Sequence, residues 1–564
     1  MQGHVAPELI AFSHPKEDTT VNPGILAACA YVVLLMVTVL WSLMKAIHRE
    51  PDCLHAGQGQ SGAYAPENPE RPTKKALSRF RRLTSSLFAT RLRTSAVVVA
   101  VLLLTGAAVH ADFRLPNLFP FIDGTGFSAT NSTAGYLDLS GPFFQSLGTN
   151  GRTCGTCHNP SDGFGLSAAD AQLRYHLTHG RDPLFDQIDG STCPTGPVNN
   201  SLVVNNGLIR IGLQVPPNEY DPNPPQFTIT AVEDPYGCAL TTNAQGQQTV
   251  SVYRRPLPST NLGFSSAVMF DGRESFFFPL NDEQTFAANL NTDLTQQAID
   301  ATLGHAQANQ PPTQRQLRQI VGFELALNSA QLSDFRAGGL FGQNGSYGGP
   351  QYLPNQQYYP GINDSLGGDP HGHQFDPNVF TIYTSWQNSR HPQQASIARG
   401  EQIFNTQPLT ISDVPGLTTG TQQITGTCTT CHDTPNVGNH SFPLPLDIGT
   451  VRSAQYETDP NVLAGLQQLS LPTLPVFQLI CTQGPLSGQT FYTTDPGKAL
   501  ISGQCSDIGR GKGPILRGLA ARAPYFHNGA AANLSEIVNF YNQRFQMRLS
   551  SQQMQDLINF LQTL

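Results

Sequence analysis

Residues 154–158 read Cys154-Gly155-Thr156-Cys157-His158, and residues 428–432 read Cys428-Thr429-Thr430-Cys431-His432. The spacing has a chemical cause. Two thiols three positions apart on one helical turn reach the two vinyl groups of a haem as thioethers, and the following His lies under the iron as its proximal ligand. A redox dithiol or half of a zinc site would use the same cysteines. Neither needs a His directly after each pair, and the chain has no further Cys-x-x-Cys pair to complete a zinc site. The expectation is two covalently bound c-type haems, one on Cys154, Cys157 and His158, the other on Cys428, Cys431 and His432.

Helical patterns surround both sites. Leu294, Ala298, Ala301 and His305 recur at helical spacing within Asp293–Ala308, and Thr313 can cap a helix through Leu317, Ile320, Val321, Phe323 and Leu327. Ser396–Asn405 reads as a short helix ahead of the second site. Asn533 with Glu536 opens a helix through Tyr541, and Ser550 with Gln553 opens a last one that buries Leu557, Ile558, Leu561 and Leu564. Regions 195–260 and 435–510 are rich in Pro, Gly, Asn and Thr. They read as long loops, with a hairpin around Gln248–Arg254. The expected fold is therefore mainly α: two cytochrome c-like haem domains with long loops, over residues 112–385 and 386–564, preceded by an N-terminal transmembrane and signal-like segment, 1–111.

That N-terminal segment holds two apolar runs. Gly24–Met44 is 21 residues without a charge, long enough to span a bilayer. Ala96–Val109 is shorter and leads into Val109-His110-Ala111, the pattern of a signal-peptide core with cleavage after Ala111. Between them, residues 71–93 carry eight basic side chains and no acidic one, which places that loop in the cytoplasm and everything after Ala111 across the membrane. Two readings stay open for the first run: an inner-membrane anchor, or a stretch outside the native reading frame. Both put the body in the periplasm.

The net charge of −8 conceals a division. Residues 1–111 hold 11 Lys/Arg against 7 Asp/Glu, and residues 112–564 hold 21 against 33. An acidic body argues against a nucleic-acid partner and suits the steering of a basic protein. Of the ten cysteines, Cys29 and Cys53 precede the body and four belong to the motifs. Cys193, Cys238, Cys481 and Cys505 are an even number in an exported region, where disulfides form. Proximity favours Cys193–Cys238 and Cys481–Cys505, although three pairings are formally open.

Residues 512–529, Lys-Gly-Pro-Ile-Leu-Arg-Gly-Leu-Ala-Ala-Arg-Ala-Pro-Tyr-Phe-His-Asn-Gly, followed by a helix ending Asn539-Phe540-Tyr541, resemble the haem-side segment of bacterial dihaem cytochrome c peroxidases and the related MauG-type enzymes. Phe270-Asp271-Gly272-Arg273 resembles the Trp-Asp-Gly-Arg signature of that family, and so does Phe323–Leu340 with its Asp334-Phe335 and Gly pair. The resemblance covers most of residues 140–564, in family order. It implies two haems facing each other across a domain interface, the one on His158 reactive and the one on His432 storing or relaying electrons. Arg273 belongs to the reactive side by the same resemblance.

The position fourteen residues after His527 supplies the second iron's sixth ligand in the family, Met in peroxidases and Tyr in MauG-type enzymes; here it is Tyr541. A phenolate stabilises higher oxidation states than a thioether does. A core aromatic on an amphipathic helix is the other reading of Tyr541, and His527 and Met547 compete as ligands. This chain also departs from the family. Phe270 stands where the family has a Trp between the haems, Trp386 is the only Trp after residue 111, and extra residues separate Arg273 from Leu294-x-x-Gln297-Ala298. The family acid over the first iron is missing as well. His305 stands near that position and can serve as the proton shuttle, its ordinary pKa lying near the working pH; packing at a helix end is its other reading. His176 and His179 could instead ligate the first iron.

The family often holds a calcium ion with carbonyls near the Ala-Pro-Tyr segment; Pro524 fits and Arg522 replaces a Thr. The function implied is a peroxidase-like enzyme that reduces hydrogen peroxide with electrons from a small cytochrome or cupredoxin. The alternatives are a MauG-like oxidase of a protein or organic substrate, and a membrane-tethered electron carrier without a substrate.

Overall fold

The computed structural model describes residues 113–275, 283–342 and 345–564. The two N-terminal apolar runs, the basic loop between them, Cys29 and Cys53 lie outside the described residues. Six longer helices lie among the described residues. Helix α1 (Ala168–Thr178) starts where the Ser167 side chain accepts from the Asp170 amide at 3.0 Å. Helix α2 (Glu283–Gly304) begins earlier than the pattern from Asp293 suggested and ends one residue before His305. Helix α3 (Gln314–Ala326) opens on a reciprocal cap between Thr313 and Gln316 and buries Leu317, Ile320, Val321 and Glu324.

Helix α4 (Pro392–Thr406) precedes the second motif, α5 (Leu534–Arg544) is capped by Asn533, and α6 (Ser551–Leu561) by Ser550 with Gln553. Helices α4 and α6 pack at close quarters around Gly400. A Cβ there would stand 2.1 Å from the Asp556 carbonyl, so any larger residue would force the helices apart. Asp556 then accepts from Arg399 at 2.7 and 2.8 Å and from Ser396, a polar clasp beside the apolar contact.

The sheets correct the expectation of a mainly α fold: the described residues are 31% helix and 17% strand, a mixed α/β architecture. Strands β1 (Arg114–Pro116) and β4 (Tyr136–Asp138) pair with each other, while β2 (Phe121–Ile122), β3 (Gly126–Ser132), β9 (Leu327–Asp334) and β10 (Gly338–Gly339) form a sheet ordered β10-β9-β3-β2. The regions read as loops contain most of the remainder. Strands β5 (Ile209–Gln214), β7 (Leu240–Thr242) and β8 (Gln248–Arg254) make one sheet, β7 and β8 forming the hairpin. In another, β6 (Phe227–Glu233) joins β13 (Val476–Cys481) and β14 (Thr490–Thr493). A short hairpin, β11 (Leu409–Ser412) with β12 (Gln423–Gly426), leads into the second motif.

The composition of these stretches is loop-like, but the strands inside them are not. In β6, Phe227 and Ile229 are buried while Thr228, Thr230 and Val232 face out, the period-two alternation of a half-buried strand. Pairing of β6 with β13 joins residues from 227–233 to residues from 476–481, one from each expected half of the body. Phe227, Ile229, Val250, Val252, Phe477 and Leu479 form the apolar core between these sheets. Among the described residues no helix is long and apolar enough to cross a membrane.

Disulfides Cys193–Cys238 and Cys481–Cys505 hold this β region together. Cys481 ends β13 and Cys505 lies beyond β14, a separation of 24 residues. Loop-closure entropy makes such a bridge worth about 3 kcal/mol. Replacing both Cys481 and Cys505 by Ala is expected to lower the unfolding free energy by about that amount, read as a lower urea midpoint with unchanged far-ultraviolet circular dichroism. An unchanged midpoint would show that the sheet needs no bridge.

Candidate functional site

Both Cys-x-x-Cys-His stretches fold alike. Thr153 and Thr156 cap each other around the 3-10 turn Cys154–Thr156, and Thr427 and Thr430 do the same around Cys428–Thr430. The turn closes when the His158 amide donates to the Cys154 carbonyl at 3.0 Å and the His432 amide to the Cys428 carbonyl at 3.1 Å. Each imidazole then sets Nδ1 against a carbonyl six residues on, Phe164 at 3.1 Å and Gly438 at 2.6 Å. A carbonyl only accepts, so Nδ1 carries the proton and Nε2 keeps its lone pair. Burial pushes His158 down to about 4 and lowers His432 as well. Both rings are therefore neutral, the form that binds a metal. Burial pushes the thiols of Cys154, Cys428 and Cys431 up to about 12 and raises Cys157.

Each turn opens on its own cavity. Cys154, Cys157 and His158 line the first, with Leu257, Leu294, Ala298 and Ile320 supplying apolar wall. Cys428, Cys431 and His432 line the second, with Phe404, Ile411, Leu557 and Leu561. Paired thiols, a neutral imidazole and apolar walls are what a covalently attached porphyrin would need, so the residues present fit one such group in each cavity.

The candidate sixth ligands converge on the second cavity: Tyr541, His527 and Met547 all line it. Burial raises the pKa of Tyr541, and Cys431 and Cys428 beside it act in the same sense, so its phenol stays protonated unless a cation binds it. His176 and His179 are exposed on and just after α1, away from the first cavity. His305 stands at that cavity's rim, 37% exposed, with Nδ1 2.8 Å from the Asp189 carboxylate. Asp189 also pairs with Arg152 at 2.9 Å. Arg273 lines the same cavity, its guanidinium 3.1 Å from Asp271.

Residues shared by both cavities form the wall between them. Phe270 and His527 stack there, ring centroids 3.9 Å apart and 7° from parallel, and Lys512 lines both cavities beside them. The Arg254 guanidinium lies 5.0 Å above the Phe270 ring. It is fully buried and donates to both Asp495 oxygens, at 2.7 and 2.9 Å, and to Asp271. Burial alone would raise the Asp495 carboxyl; Arg254 and His527 reverse this and hold it well below the usual carboxylate range. Trp386 instead packs on Tyr383, centroids 4.9 Å apart, in the core behind α4.

Sequence reasoning missed Glu324. It lines the first cavity, 5% exposed, and burial pushes its pKa up to about 8. The signal was present: with Leu317, Ile320 and Val321 it completes a buried helical stripe on α3, where an acid is out of place. Beside Pro524, the buried Arg522 guanidinium donates to the carbonyls of Gly518, Ile515 and Arg517. Arg255 is close enough to act on it. These fixed cations oppose a calcium ion at that turn.

No family model matches the chain. A protein of Denitromonas iodatirespirans named cytochrome-c peroxidase IdrP2 is 33% identical over 107 residues, 19% of this chain and 28% of the relative. Its namesake from Pseudomonas sp. (strain SCT) is 31% identical over 135 residues, 23% of this chain and 35% of the relative. The match thus spans about a third of each relative's length. It supports a relationship to the cytochrome-c peroxidases at low identity and partial coverage. The structure of a MauG-like protein associated with microbial copper homeostasis covers 58% of this chain and 79% of its own at 12% identity, with a TM-score of 0.24, too low to carry an argument.

Two outcomes check the cavities. If Tyr541 ligates a second iron, Tyr541→Phe removes an anionic oxygen donor and shifts the absorption spectrum and reduction potential of that centre alone. Unchanged spectra would pass the role to His527 or Met547. Glu324 keeps its proton in the folded protein up to about pH 8 but loses it near 4.5 when unfolded. Its contribution to stability is therefore complete below 4.5 and is lost as pH rises through about 8. Glu324→Gln should flatten the fall in urea midpoint between pH 5 and 9 that the wild type shows; parallel falls would remove Glu324 as the cause.

Proposed function

We propose that this chain is an exported dihaem c-type cytochrome acting as a peroxidase-like oxidoreductase, with hydrogen peroxide reduced in the first cavity and electrons arriving through the second. The observation that carries this reading is the pair of identical Cys-x-x-Cys-His turns, each opening on its own apolar cavity, with one wall in common. Haem, when bound, supplies the iron-centred electron transfer that no side chain here can.

The chain's own residues supply ligands, protons and exclusion of water. His158 and His432 offer Nε2, each ring locked by its Nδ1–carbonyl bond. Reduction of one peroxide to two waters takes up two protons as well as two electrons, so the first cavity needs acids. His305 is one: Asp189 holds its Nδ1 proton, and protonated Nε2 can donate to the departing hydroxide. Glu324, neutral at pH 7, is a second acid in the same wall. Phe270 is hard to oxidise, so electrons cross the wall without resting on it.

Tyr541 in the second cavity favours a second reading, a MauG-like oxidase of a protein or organic substrate. The two disulfides and the apolar N-terminal runs support a periplasmic location, with the first run as an inner-membrane anchor. The acidic body, 21 Lys/Arg against 33 Asp/Glu, suits a basic small cytochrome or cupredoxin as electron donor.

Mass spectrometry should find two haem additions on the mature chain, and replacing Cys154 and Cys157 should remove one of them. His305→Ala should slow the reaction of the half-reduced protein with peroxide by about 10²–10⁴-fold, the usual weight of general acid catalysis, with both haems retained. An equal rate in the variant would make His305 structural. A wild type inert to peroxide, with both irons low-spin by electron paramagnetic resonance, would leave an electron carrier.

A further inference from the structure

Beside the second cavity, the loop carrying Asp364 meets the turn that follows His432. Asn363 Nδ2 donates to the Asp433 carbonyl at 3.0 Å and Ser365 Oγ to the Thr430 carbonyl at 2.7 Å, so the loop clasps the second motif from outside. Between them lie Asp364, Asp433 and His440, exposed by 2%, 0% and 2%. One potential ligand atom from each lies within 4.8 Å of the others.

Part of each carboxylate is held by the backbone. Asp364 Oδ2 accepts from the amides of Leu366 at 3.1 Å and Gly368 at 2.6 Å, and Asp433 Oδ1 from the amide of Ser441 at 2.6 Å. Asp433 Oδ2 lies 3.0 Å from His440 Nδ1. Two buried atoms remain: Asp364 Oδ1 and His440 Nε2 have no hydrogen-bond partner among the described residues. An unmade bond to a buried polar group is costly, more so for a charged one. A single imidazolium also cannot neutralise two buried carboxylates.

We propose that Asp364, Asp433 and His440 bind one small divalent cation of the zinc or manganese class. Two carboxylates and a neutral imidazole balance its charge, and the mixed oxygen and nitrogen donors suit these ions better than calcium, which takes six to eight oxygens. The cation would tie the Asp364 loop to the residue next to the proximal His432. It thereby helps hold the motif in place. His440 also lines the second cavity, so a carboxylate of a group bound there is the competing partner for its Nε2.

Metal analysis of the full-length holoprotein, purified without chelator from medium containing zinc and manganese, tests the site. The expected result is one equivalent of zinc or manganese per chain in addition to haem iron. Asp364→Asn keeps an oxygen for the two amides and should lower that metal content at least tenfold with the haem spectrum unchanged; His440→Gln should lower the metal content to the same extent. As an independent measurement, zinc chloride added to chelator-treated wild type should raise its thermal midpoint by several degrees and leave that of Asp364→Asn where it was. A holoprotein with iron alone, whose midpoint ignores both zinc and manganese, overturns the proposal and leaves His440 to the cavity. Metal retained in full by both variants overturns it equally, since the ion would then sit elsewhere.

Discussion

Three hydrogen bonds to carboxylates converge on one guanidinium that has no access to water. Arg254 leaves the end of β8, reaches Asp495 with two of its nitrogens and Asp271 with the third, and covers the ring of Phe270. A charge buried at 2% exposure persists only with such partners. Through it, the end of one sheet, the Phe270 loop, the segment after β14 and the strip carrying His527 are held in one place. Those four segments are the wall between the cavities. Removing either carboxylate would leave an uncompensated charge in that wall, which is more damaging than the pair itself is stabilising.

The two motif turns show how little sequence is needed to prepare a ligand. A Thr on each side of the cysteines caps the turn, and one carbonyl six residues on fixes the ring tautomer. The accepting residues, Phe164 and Gly438, both sit at positive φ, 58° and 78°. Only such a reversal brings a carbonyl back over the imidazole within so short a loop. Gly438 adopts it freely, whereas Phe164 is strained and is kept there by complete burial.

Around these turns the chain uses two kinds of packing. The second cavity sits in a helical shell built from α4, α5 and α6, in which Gly400 lets two helices meet. The sheets tied by the two disulfides join strands from both expected halves around an apolar core of their own. Glu324 and His305, which line the first cavity, both come from helical segments: Glu324 from α3, and His305 from the first residue past α2, where Asp189 can reach it.

The motifs, the caps at Thr313, Asn533 and Ser550, and the neighbouring cysteine pairs were legible in the sequence because each is a local pattern, complete within a few residues. Of the β content only the hairpin around Gln248–Arg254 was. The strands of 195–260 and 435–510 are short and surrounded by Pro, Gly and Asn, and β6 becomes a strand by pairing with β13, far along the chain. The site divides in the same way. His158, His432 and their cysteines follow from spacing alone. The Phe270–His527 stack, the anchoring of His305 by Asp189, and the meeting of Asp364 with Asp433 and His440 were decided by tertiary structure. Each joins segments whose contact is fixed by long-range packing, and no local periodicity records which distant side chains will share a buried space.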